Sequence, residues 1–154
     1  MNIARKAAEY AKDLEGEAFF DAMDTALDCE SIYQQLYDLI LDPFRYTFVL
    51  SGRFGMHFYK WVMKAGLPHA GAIIFPGGLR DGKSKAPITL KVTDRWTQKA
   101  CFIDDSFYSG TTRATCLHVL YVPKDLPTFI AYDGSVEKQQ WVTALYRWHT
   151  EQEE

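Results

Sequence analysis

The sequence predicts one α/β domain, a mostly parallel five-stranded sheet flanked by helices and preceded by a helical N-terminal cap. Three observations predict it. From residue 45 onward, short apolar runs rich in β-formers alternate with stretches of helical periodicity, the pattern of strands joined by crossover helices. Those runs are almost continuously apolar, as strands covered on both faces are. The first forty residues carry helical periodicities alone, so they stand outside the sheet.

In the cap, Ile3, Ala7, Ala11 and Leu14 share one helical face, Phe19, Met23 and Leu27 a second, and Ile32, Leu36, Leu39 and Ile40 a third. Gly16 and the polar cluster at 28–31 separate them, and Asp42-Pro43 marks the boundary between a cap at 1–44 and a core at 45–154. Residues 46–50 form a buried strand; after Ser51-Gly52-Arg53-Phe54-Gly55, a helix runs over 56–65 and stops at Gly66, where a left-handed cap is expected. Residues 70–75 are the second strand, 76–85 a Gly-rich basic loop, 87–92 the third strand and 100–104 the fourth. A helix over 111–121 turns Ala114, Leu117, Leu120 and Tyr121 inward and is stopped by Pro123; 128–132 is the fifth strand. Ser135 then caps a last helix carrying Trp141, Leu145 and Trp148 on one face.

Size and charge bound the function. A chain of 154 residues that is 47% apolar and 15% aromatic supports one core, so residues 1–154 form a single domain. The net charge of −3 creates no general attraction for nucleic acid or anionic membrane, neither of which is expected as a partner. An anion site must therefore be built locally. Cys29, Cys101 and Cys116 are odd in number and lack metal-ligand spacing, as do His57, His69, His118 and His149; the thiols are expected reduced and packed. No signal-peptide core or run of about 20 apolar residues occurs, and a cytoplasmic protein is expected.

The chemistry concentrates at residues 101–112, where an apolar run leads into Asp104-Asp105 and then Ser106-Phe107-Tyr108-Ser109-Gly110-Thr111-Thr112. Two carboxylates accept hydrogen bonds from vicinal hydroxyls. The hydroxyl side chains and the N–H groups around Gly110, opening a helix, donate to a phosphate. A second motif competes: residues 77–84 satisfy the nucleoside-triphosphate loop G-x-x-x-x-G-K-S, with Phe102-Ile103-Asp104 as its acidic strand. Its context fails, because Pro87 and the β-branched residues after it stand where the required helix would run.

The 101–112 segment resembles the phosphoribosyl diphosphate (PRPP) motif of type I phosphoribosyltransferases: an apolar strand, two acidic residues, three variable ones, then Thr/Ser-Gly-Thr/Gly-Thr. The likeness in element order extends from Tyr46 to Trp148, about two thirds of the chain. The resemblance implies a type I phosphoribosyltransferase-like core with residues 1–44 as its hood. The implied reaction is transfer of the phosphoribosyl group from PRPP to a small nitrogenous base with release of diphosphate. By the same resemblance, Asp104 and Asp105 hold the ribose hydroxyls, and Ser109, Gly110, Thr111 and Thr112 grip the 5-phosphate, with Ser106 a further substrate-binding residue of the segment. Ser51, Gly52 and Arg53 face the diphosphate, and Arg80, Lys83 and Lys85 lie on a loop that closes over it. Catalysis then rests on Asp104, Asp105 and Arg53. Mg²⁺ is the implied cofactor, held mainly by oxygens of PRPP and on the protein side through Asp104 and Asp105. A homodimer is implied as well.

Two features bear on the base. Tyr108 stands where enzymes acting on 6-oxopurines often carry an aspartate, which disfavours hypoxanthine and guanine. Phe107 and Tyr108 either line the base or pack into the core, and Asp133 is either a contact to a base edge or a turn residue before Gly134. A noncatalytic PRPP-binding regulatory module is the alternative on the same fold.

Overall fold

The computed structural model describes residues 29–75, 88–90, 92, 96 and 99–147. The first two helices expected in the cap, the whole 76–85 loop with Arg80, Lys83 and Lys85, and Trp148 lie outside the described residues.

Helix α1 (Cys29–Asp38) buries Ile32, Tyr33, Leu36 and Tyr37, spaced to share one face. One 3-10 turn (Pro43–Arg45) leads into β1 (Thr47–Ser51), every residue of which is buried. Helix α2 (Gly52–Lys64) begins at once, four residues before the expected start. Gly52, at φ 67°, permits the sharp reversal. Close packing follows, because a Cβ on Gly55 would stand 2.9 Å from the Cβ of Leu50. The helix ends as expected, Gly66 at φ 67° donating its N–H to Met63 O.

Strands β2 (Gly71–Phe75), β3 (Ile88–Leu90) and β4 (Ala100–Phe107) come next, then helix α3 (Thr111–Leu120), β5 (Thr128–Asp133) and β6 (Val142–Arg147). The sheet order is β3-β2-β1-β4-β5-β6, parallel throughout except for antiparallel β3 on the edge. The mostly parallel, helix-flanked sheet is thus as the sequence predicts, with one difference. It has six strands, because the expected last helix is β6, paired with β5 from Thr128–Val142 to Asp133–Arg147. The Trp141 and Leu145 spacing suits a helix, but pairing with β5 buries Val142 and Tyr146 and decides the outcome. Ser135 caps no helix; its hydroxyl donates to Asp133 Oδ1 at 2.6 Å.

The faces of β1 define the core. Phe48 and Leu50 join Phe58, Val62, Ile103 and the α1 face on one side; Val49 joins Ile73, Phe75, Phe102, Cys116 and Leu117 on the other. Burying each such large side chain contributes about 1.5–3 kcal/mol. Cys101 and Cys116 are free and buried, as packed thiols should be.

Candidate functional site

The chain winds outward in opposite directions from β1 and β4, which are neighbours with Leu50 beside Ile103. In open parallel sheets the crevice beyond the carboxyl ends of two such strands is where ligands bind. Ser51 ends β1 there and Asp104 follows Ile103 there, while α2 and α3 both start from this edge. Two helix N-termini therefore direct their first-turn N–H groups and partial positive charge toward one crevice.

Strand β4 continues to Phe107 instead of ending at Asp104, so both carboxylates belong to the sheet. Its ladder with β5 runs through Asp104–Ile130 and resumes at Ser106–Tyr132, placing Asp105 at a break. Face alternation lapses across this break, since Ala131 and Tyr132 join the same core cluster, and Asp104 and Asp105 line one cleft despite being neighbours. Asp104 is half-buried, whereas Asp105 is only 4% exposed.

Their surroundings oppose ionisation. The Asp105 N–H donates to Asp104 Oδ1 at 2.9 Å and Ser106 Oγ donates to Asp105 Oδ1 at 3.3 Å, but neither carboxylate has a cationic partner among the described residues. Burial, and then the Asp105 charge, push Asp104 well above the usual carboxylate range. Burial likewise pushes Asp105 up to about 6, against hydrogen bonds from Asp104 and Ser106 that favour its charged form. Such a pair calls for donors beyond those that the described residues supply.

Directly after the strand, Gly110 adopts φ 81° at the N-cap of α3, and a Cβ there would stand 3.0 Å from the Phe107 ring. Ser109 Oγ lies 3.0 Å from Thr111 Oγ1 and accepts from the Thr111 N–H at 3.4 Å. These hydroxyls, the helix start and the two carboxylates surround a cleft of about 250 Å³. It can take a diol at one end and an anion at the other. The donor set is all oxygen, and among the described residues no group of three or more His, Cys, Asp or Glu side chains converges. A hard cation shared with ligand oxygens fits that set; a cation held by the protein alone does not.

All residues of 104–112 named from the motif, Ser106, Phe107 and Tyr108 included, line this cleft. Phe107 is also core, with its ring edge-on to Trp141 at 5.6 Å. Tyr108 is half-buried, edge-on to Tyr132 at 5.7 Å, and its ring covers Gly134, where a Cβ would overlap it. Of the β1 residues, Ser51 is buried at the end of the strand; Gly52 and an exposed Arg53 form the first turn of α2 instead of a separate loop. Asp133 ends β5, inside the sheet. It is 1% exposed, paired with Arg147 at 2.7 Å and accepting from the Ser135 N–H and hydroxyl. Sequence reasoning missed Arg113 and Arg147, whose partners lie eleven or more residues away in sequence.

Among the described residues no helix is long and apolar enough to cross a membrane. No protein-family model matches the chain, and no curated protein matches it. Solved structures do resemble it. An orotate phosphoribosyltransferase from Aeropyrum pernix superposes with a TM-score of 0.51 at 16% identity, over 80% of this chain and 73% of that one. A hypoxanthine phosphoribosyltransferase from Staphylococcus aureus gives 0.47 at 14% identity, over 78% and 70% of the two chains.

Proposed function

We propose that this chain, which adopts the type I phosphoribosyltransferase fold, moves the phosphoribosyl group of PRPP onto the nitrogen of a small base and releases diphosphate. The observation that carries the reading is the junction of β4 and α3: two carboxylates with no cationic partner among the described residues, then a hydroxyl-rich turn at a helix start, all on one cleft at the switch point. A sugar with vicinal hydroxyls and a terminal phosphate answers both ends at once.

In this reading the ribose hydroxyls donate to Asp104 and Asp105, and the 5-phosphate takes the N–H groups and hydroxyls of the 109–112 turn. The bond from C1 to the diphosphate oxygen breaks with its electron pair leaving on diphosphate; the base nitrogen supplies the pair that forms the new C1–N bond. As positive charge develops at C1, the carboxylates below the ring stabilise it electrostatically, and the α2 start with Arg53 receives the leaving group. Mg²⁺ fits as a cofactor whose oxygen shell is completed by the substrate, with Asp104 and Asp105 as the protein's carboxylates beside it; when bound, it neutralises diphosphate charge.

Calorimetry with PRPP and Mg²⁺, followed by diphosphate release across purine, pyrimidine and pyridine bases, tests the assignment. Saturable binding and release with one base are expected. Lack of binding, or binding that survives the Asp104→Asn, Asp105→Asn double variant, refutes it. One observation favours a second reading: α2 starts immediately after Ser51, so the leaving-group side is reduced to a helix turn. PRPP binding without release on any base would select a noncatalytic PRPP-binding module.

A further inference from the structure

We propose that Arg113 is a positioning residue that holds the phosphate-gripping end of α3 in register with the carboxylates of β4, a role that rests on the phosphoribosyl reading above. Helix α3 has few apolar anchors, with Cys116 and Leu117 its only buried apolar side chains. The other buried residue of this helix is Arg113, 6% exposed and next in sequence to the motif.

Its guanidinium reaches to the segment entering β5. Nε donates to Thr128 Oγ1 at 2.8 Å, and Nη2 donates to the carbonyls of Lys124 at 2.7 Å and Leu126 at 2.9 Å. The plane lies over Trp141, 3.5 Å from the ring centroid, one residue before β6. Among the described residues the side chain has no salt bridge, and every hydrogen-bond acceptor it meets is neutral. Burial lowers its pKa to about 10, which marks the cost of desolvating the charge.

A leucine would cover similar apolar area without that cost. What the planar fork adds is direction: fixed bonds to three points and a stacked face allow one placement of the helix turn that bears it. Because β4 pairs with β5, and β5 with β6, the carboxylates and the β5 lead-in share one sheet. Arg113 ties the helix start to that same sheet. The two ends of the cleft are thereby spaced for one ligand, and misplacement by about 1 Å can cost on the order of 10²-fold in such a site.

The test compares Arg113→Met and Arg113→Lys with Leu117→Ala, a destabilised variant one turn further along α3. PRPP dissociation constants are measured by calorimetry with Mg²⁺ at a temperature where circular dichroism shows each variant folded. Both Arg113 variants are expected to bind about tenfold more weakly or worse, and Leu117→Ala within about threefold of the wild type. Wild-type affinity in Arg113→Lys, or an equal loss in Leu117→Ala, would overturn the positioning role. If Arg113→Met does not fold, Thr128→Val removes the Nε acceptor together with the bond that the Thr128 hydroxyl donates to Leu126 O; several-fold weaker binding supports the role and unchanged binding defeats it. Absence of PRPP binding by the wild type would instead bring down the phosphoribosyl reading, and the role with it.

Discussion

Replacing Asp105 by Asn should make the ligand-free protein more stable at neutral pH. Asp105 is 4% exposed, has no cationic partner among the described residues, and is pushed by burial from 3.8 to about 6 in the folded state. Between those values the folded protein holds the proton that the unfolded chain has released. Stability therefore falls as pH rises through the window from about 4 to 6, and the penalty is fully present above it. The difference of roughly 2 pKa units, at about 1.36 kcal/mol each, makes that penalty about 3 kcal/mol at pH 7.5. Asp104 is shifted in the same direction. Asn keeps the shape, can accept from Ser106 Oγ and removes the charge, so Asp105→Asn should gain about 3 kcal/mol at pH 7.5 and almost nothing at pH 4. For a domain of this size that is a rise of roughly 6–12 °C in Tm. Urea unfolding of both proteins at several pH values measures it, and PRPP affinity should fall in the same variant. Equal or lower stability of Asp105→Asn at pH 7.5, or a gain that does not shrink toward pH 4, would show that the carboxylate pair is not held against its charge.

Three further outcomes are expected. Arg147→Ala leaves the buried Asp133 carboxylate without its ion pair and should cost about 3–5 kcal/mol in urea unfolding; adding Asp133→Asn should recover part of that loss. Gly134→Ala forces the Tyr108 ring from its seat, with about 1–3 kcal/mol of overpacking and a change in which bases support diphosphate release; Tyr108→Ala in that background should relieve the strain. Cys101 and Cys116, buried and with thiol pKa values raised by that burial, should react with an aromatic disulfide reagent only as fast as the protein unfolds, so rapid labelling of the native protein would contradict their placement.

Local chemistry made much of the fold legible. Runs such as 46–50 and 70–75 are apolar and β-rich; they form the buried strands Thr47–Ser51 and Gly71–Phe75. Gly66 ends α2 and Gly110 opens α3, because a positive φ is demanded at each and glycine meets it cheaply. Where competing patterns overlap, the reading failed. Trp141 and Leu145 carry a helical spacing, yet the segment had a free strand edge beside it in β5, a partner that only the assembled sheet provides. Strand β4 likewise runs on past Asp104, since β5 continues beside it and offers backbone partners to Ser106 and Phe107.

By itself, the sequence determined the alternation of strands and helices, the carboxylate pair followed by a hydroxyl-rich turn, and hence the kind of molecule that could sit there. Each of these depends on residues within a few positions of one another, whose conformational preferences act over that same range. The tertiary structure alone decided that Asp104 and Asp105 lack a cationic partner among the described residues, that Asp133 is spent on Arg147, and that Arg113 grips the approach to β5. Those outcomes turn on desolvation and on partners eleven or more residues apart, quantities that exist only once the sheet has brought distant segments side by side.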